Sequence, residues 1–148
     1  MISLILLLLL LVVGCESSTC PEITDSNIRD LVNGYTDPSS HACGDIGDWD
    51  VQRVTDLSNL FNGKSTFNAN ILNWNTSRVT NMASTFRGAT SFNGDLSNWD
   101  TSKVTSLFFT FRGATNFNGD LSNWDTSEVT TLYWTFQGAT SFNGDLSN

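Results

Sequence analysis

The residues best suited to chemistry in this 148-residue chain are its acids, and they come in register. Asn70, Asp95, Asp120 and Asp145 fall 25 residues apart, as do Asp50, Asn75, Asp100 and Asp125. If successive units stack at strand spacing, about 5 Å, like carboxylates repel unless something compensates. Calcium is one compensator. Backbone N–H groups are the other, because Asp and Asn cap turns and helix starts. Asn70 and Asn75 favour capping, since an amide accepts a hydrogen bond and brings no charge. The single histidine, His41, lies near Cys43, but no further ligands are spaced to complete a zinc site with them. There is no G-x-S-x-G elbow, no P-loop and no His-rich motif. An acid–base pair for glycoside hydrolysis is not evident either. The expectation is therefore a protein without catalytic residues, metal ligands or cofactor.

Cysteines and the head of the chain point to export. Apolar residues run from Ile2 to Val13, broken only by Ser3, too short for a comfortable membrane span and right for a signal-peptide core over residues 1–15. Val12-Val13-Gly14 fits ordinary cleavage, whereas Val12-Val13-Gly14-Cys15 is similar to a lipobox, which would lipidate Cys15. In an oxidising space Cys20 and Cys43 are expected to pair, with two free thiols as the alternative. Asn75-Thr76-Ser77 is a glycosylation sequon at Asn75.

Formal net charge is -8. The acids concentrate in residues 16–56, and the remainder is nearly balanced. With no basic stripe, a nucleic-acid partner is not expected.

What must position these groups is a repeat. Trp49, Trp74, Trp99 and Trp124 are spaced by 25 residues, as are Val54/79/104/129, Phe61/86/111/136, Phe67/92/117/142 and Gly63/88/113/138. Leu57, Met82, Leu107 and Leu132 follow the same period, as do Ile71, Leu96, Leu121 and Leu146. One such unit cannot bury its apolar side chains alone, but stacked units turn each series into a buried column. The units are 49–73, 74–98, 99–123 and 124–148. The last two differ only at Lys103/Glu128, Ser106/Thr131, Phe108/Tyr133, Phe109/Trp134, Arg112/Gln137 and Asn116/Ser141, outside those columns.

Within a unit, Val104, Leu107, Phe108 and Phe111 at i, i+3, i+4, i+7 predict a short helix ended by Gly113. A very short strand is expected around Asp95-Leu96-Ser97, or alternatively at "SKVTSL". Residues 16–48 do not repeat and are expected to cap the stack. Thr24 or Asp25 begins a helix whose face holds Ile28, Leu31 and Val32, and Gly34 stops it. No matching cap follows the fourth unit, so the row of Phe142 and Leu146 is expected to be bare. That suggests self-association there or a longer array.

The unit "WDTSKVTSLFFTFRGATNFNGDLSN" resembles the BspA-like bacterial surface protein repeat, also called DUF285. Trp99, Asp100, Thr101, Ser102, Val104, Thr105, Phe111, Ala114, Phe117, Asn118, Asp120 and Leu121 carry the likeness. Val51-Gln52 and Lys64 depart from it in the first unit. The resemblance implies an α/β solenoid, a leucine-rich-repeat-like right-handed coil, on a secreted or surface-attached protein of adhesion or protein-interaction type. It brings no catalytic residues.

The expected function is binding of a protein or cell-surface macromolecule, with a purely structural spacer as the alternative. Contact with a membrane would be only through the signal or lipid anchor. Phe108, Phe109, Tyr133 and Trp134 are the candidate contacts, since exposed aromatics favour interfaces, with partial burial between neighbouring helices as the equal alternative. The competing row holds Asp95 and Asp120.

Overall fold

The computed structural model describes residues 19–144. From Asp45 onward the chain passes repeatedly over itself, and each unit is held to the next by backbone hydrogen bonds. The N–H groups of Leu57, Asn59, Phe61 and Gly63 donate to the carbonyls of Asn81, Ala83, Thr85 and Arg87 at 2.7–2.9 Å. The same four bonds join Met82, Ser84, Phe86 and Gly88 to the third unit, and Leu107, Phe109, Phe111 and Gly113 to the fourth. Isolated parallel bridges Asp56–Asn81, Asn81–Ser106 and Ser106–Thr131 mark the same line.

In these four columns every peptide group points the same way, N–H toward the next unit and C=O toward the one before. Their dipoles add, as they do along a helix. A fifth column runs in the opposite sense. Thr80, Thr105 and Thr130 donate N–H back to the carbonyls of Thr55, Thr80 and Thr105 at 2.8, 2.8 and 2.9 Å.

This geometry replaces the helix expected over residues 104–114. A donor on every second residue, all facing one way, requires the backbone to change hand inside the segment. It does so at Asn59, Ser84, Phe109 and Trp134, with φ of 55–60°, and again at the glycines, as at Gly88 with φ 68°. A left-handed residue breaks an α-helix, so the segment is two successive turns. The strand expected at Asp95-Leu96-Ser97 is also absent. Asp95 Oδ1 accepts from Ser97 N at 2.8 Å and closes a turn there. The parallel contact lies instead at Ser106, within the alternative segment.

Between the backbone columns lie columns of rings. Phe61, Phe86, Phe111 and Phe136 stack at 5.3–5.4 Å. Phe67, Phe92, Phe117 and Phe142 stack at 5.7–5.8 Å. Trp74 and Trp99 lie parallel at 6.1 Å. Each buried indole needs an acceptor, and Trp74, Trp99 and Trp124 Nε1 reach the carbonyls of Ile46, Ile71 and Leu96. Thr85, Thr110 and Thr135 sit in the core because their hydroxyls donate to the carbonyls of Leu57, Met82 and Leu107.

The cap is helix α1, Ile28–Gly34, whose Ile28 and Val32 are buried. Its N-cap is Asn27, whose side chain makes no capping bond. Neither expected cap, Thr24 or Asp25, holds that place; Thr24 contributes its carbonyl to Asn27 and Ile28 N–H instead. Asp25 is free for another task. Its carboxylate accepts from Thr55 N, Thr55 Oγ1 and Asp56 N at 2.8, 2.6 and 3.0 Å. The two Thr55 donors are those that, at Thr80, the preceding unit satisfies. One turn on, Arg29 Nη2 donates to the carbonyls of Ser58 at 2.8 Å and Asp56 at 3.4 Å, and pairs with the Asp56 carboxylate at 3.3 Å. A carboxylate therefore meets the N–H end of one column and a guanidinium the C=O ends of two others, the sign that each dipole asks for.

The chain rejoins the repeat earlier than residue 49. Asp45 Oδ1 accepts from Gly47 N as Asn70 Oδ1 does from Leu72 N, and a 3-10 turn follows over Ile46–Asp48. The mimicry stops at Trp49. Its Nε1 is buried with no hydrogen-bond partner among the described residues.

Candidate interaction surface

The change of hand at every unit decides which side chains face outward. In the first two units the left-handed position holds Asn59 and Ser84, and in the next two it holds Phe109 and Trp134. An aromatic residue in that conformation costs roughly 1–2 kcal/mol, and burial does not offset it: Trp134 is 44% exposed. The residue before it changes in step, from Ser58 and Ala83 to Phe108 and Tyr133.

These four residues are brought together. Phe109 and Trp134 stack at 5.3 Å, Phe108 and Tyr133 at 6.2 Å, and the two ladders touch at Phe108–Phe109, 3.8 Å, and Tyr133–Trp134, 4.6 Å. Arg112 lies against both Phe109 and Trp134, with Cζ at 4.8 and 5.3 Å from the ring centres, and Arg87 lies 5.6 Å from Phe109. Such contacts are worth about 0.5–1 kcal/mol each at exposed sites. Arg112 Nε also donates to Gln137 Oε1 at 2.7 Å. The result is an alternation of guanidinium and ring planes, with Tyr133 58% exposed at its edge.

Leu132 belongs to the same surface and was expected in the core. Its counterparts Leu57, Met82 and Leu107 are at most 3% exposed, whereas Leu132 is 55% exposed because no described residue covers the far side of unit four. Phe142, expected to be bare, is half-buried; Asp145 and Leu146 lie outside the described residues. Arg87, Arg112, Leu132 and Gln137 were not among the expected contacts. Arg87 and Arg112 carried a signal, one period apart beside the glycine that turns the chain.

Asp95 and Asp120 do not join this surface. Asp120 Oδ1 accepts from Ser122 N at 2.9 Å, as Asp95 does from Ser97. The second acidic column behaves alike: Asp100 and Asp125 accept from Ser102 N and Ser127 N at 3.0 and 2.9 Å. Hydrogen bonds from Ser102, Ser122 and Ser127 hold the Asp100, Asp120 and Asp125 carboxyls below the usual carboxylate range. No group of three or more metal-binding side chains occurs among the described residues.

Cys20 and Cys43 form a disulfide with Cα atoms 4.5 Å apart. Asn75 is exposed, and its side-chain Oδ1 accepts from Ser77 N and Oγ. His41 stacks on Trp49 at 5.0 Å. Cys15 and the expected signal peptide lie outside the described residues. No helix among the described residues is long and apolar enough to cross a membrane.

The family model described as "Mycoplasma protein of unknown function, DUF285" matches residues 27–148, and the chain belongs to that family. The match begins at Asn27, so it takes in α1 as well as the repeats. No curated protein and no solved structure matches the chain.

Proposed function

We propose that this is a non-enzymatic repeat protein, exported or held at the cell surface, that binds a protein or other surface macromolecule through its aromatic face. One observation carries the reading. Units three and four spend backbone strain to hold Phe109 and Trp134 outward, where units one and two hold Asn59 and Ser84. Rings ordered in advance by stacking lose little side-chain entropy on contact. The architecture is read as a leucine-rich-repeat-like, right-handed solenoid. Successive parallel segments joined by crossovers favour that hand. Export is supported by the Cys20–Cys43 disulfide and by the apolar head, which ends either in ordinary cleavage or in lipid attachment at Cys15. Self-association through the far side of unit four belongs to the same proposal, since Leu132 is exposed there.

The test restores the residues of the earlier units. Phe109→Ser with Trp134→Asn keeps the fold's own vocabulary. Retention of the purified protein on intact cells should fall at least tenfold with an unchanged melting temperature. Unchanged retention would sink the reading. A fall in melting temperature alone would instead favour a structural spacer, which the unbroken backbone columns also support.

A further inference from the structure

The cap imitates only part of a preceding unit. It covers the first half of unit one, where Asp25 and Arg29 act. Beyond Tyr35 the chain leaves to form the disulfide at Cys43 and to lay His41 on Trp49. The segment Gly63–Ala69 is left without the neighbour that its counterparts have. A groove of about 550 Å³ remains there, walled by Val32, Tyr35 and Ile46 on the cap and by Lys64, Thr66 and Phe67 on unit one.

What belongs in that groove can be read from the other units. Ser91 N donates to Ser65 O at 3.0 Å, Asn93 N donates to Asn68 Oδ1 at 2.9 Å, the Phe92 ring stacks on Phe67 at 5.7 Å, and Gly63 N donates to Arg87 O at 2.7 Å. Units three and four repeat each contact. Shifted back one period, these contacts call for a partner to Thr66 N, Asn68 N, the outer face of Phe67 and Asn62 O. Among the described residues none of the three backbone groups has a hydrogen-bond partner. Phe67 is half-buried, whereas Phe92 and Phe117 are fully buried. Lys64 stands where the later units carry Ala89, Ala114 and Ala139, and it forms no ion pair with a described residue.

We propose that this groove binds an extended peptide carrying an aromatic residue followed by asparagine. A carbonyl two residues before the aromatic accepts from Thr66 N. The ring stacks on Phe67, the asparagine side chain accepts from Asn68 N, and an N–H four residues before the aromatic donates to Asn62 O. Lys64 adds a preference for a peptide with a carboxylate. This is peptide addition to an open backbone edge, with the register dictated by the repeat itself. The site is separate from the aromatic face of units three and four, so either proposal can fail alone.

The probe is the octapeptide Gly-Ala-Thr-Ser-Phe-Asn-Gly-Asp, the sequence of residues 88–95, titrated into the full chain and followed by amide NMR. Saturable shifts are expected at Tyr35, Thr66 and Asn68. The peptide with Phe replaced by Ala should bind about tenfold more weakly or worse, the loss of one buried ring. Lys64→Ala, the residue of the other units, should weaken binding several-fold and leave the melting temperature unchanged. No shift up to the solubility limit overturns the proposal. So do shifts confined to residues 132–138, or equal binding of the two peptides.

Discussion

The two sides of the stack received opposite treatment. On the near side, the cap supplies one carboxylate at the N–H end of one peptide column and one guanidinium at the C=O ends of two columns of opposite sense. On the far side, the N–H groups of Leu132, Trp134, Phe136 and Gly138 donate to no described residue, and Leu132, Tyr133 and Trp134 lie open. The comparison teaches that burying apolar surface does not by itself finish such a stack. Aligned peptide groups leave an excess of one partial charge at each face, and closure needs the matching ion as well as a lid.

Ring deletions should separate the sides most sharply. Phe61→Ala, on the closed side, is expected to cost about 3–5 kcal/mol, because Phe61 is fully buried and stacks on Phe67 and Phe86. The same change at half-buried Phe136 should cost under half as much. Chemical denaturation of the two variants checks this, and equal losses would mean that the far side is covered in solution. Next in size is the cap's tether. Cys20→Ser should remove roughly 3 kcal/mol through loop entropy and lower the melting temperature under oxidising conditions only. A still smaller loss, about 1–3 kcal/mol, is expected for Arg29→Met, which strips the carbonyls of Asp56 and Ser58 of their donor.

Acid should weaken the closed side first. Burial pushes the Asp25 carboxyl up, but the hydrogen bonds from Thr55 and Asp56, with Arg29 nearby, bring it below its ordinary value of 3.8. A depressed carboxyl stabilises the fold above that ordinary value, and the contribution disappears as pH falls through the lower folded value. Melting temperature should therefore decline below pH 3.8, and Asp25→Asn should flatten that decline. Leu132→Lys should have the smallest effect on stability, within about 0.5 kcal/mol as for ordinary surface changes. Light scattering of that variant against the parent chain reports whether the exposed row associates.

The columns were legible in the sequence because burial at a fixed period needs no knowledge of the backbone. Trp74, Phe86, Phe92 and Leu96 are buried whatever path links them. The path itself was not legible. Val104, Leu107, Phe108 and Phe111 have helical spacing, yet the segment is two turns and Phe108 is half-exposed. A clue was present at Asn59, since Asn tolerates the left-handed region, but Phe109 and Trp134 at the equivalent positions conceal it. The aromatic contacts were legible as variable positions in the repeat. Their arginine partners were legible only as a pair one period apart, because nothing in spacing alone turns a guanidinium toward a ring 22 residues later, as for Arg87 and Phe109. The caps at Asp25 and Arg29 were hidden for the same reason: their bonds span 27–31 residues and belong to no motif.

The orientation of the peptide columns also determines how the molecule carries load. All four N–H columns and the opposing one run along the stacking direction, so tension between the first and last units bears on each inter-unit layer in series. A series of layers yields at its weakest member, and only then at the next. Each failure releases one 25-residue unit, about 85 Å of extended chain, while the remaining layers keep their shape. Pulled by single-molecule force spectroscopy, the stack should lengthen in equal steps and start at the far side, where no described residue accepts from the N–H columns.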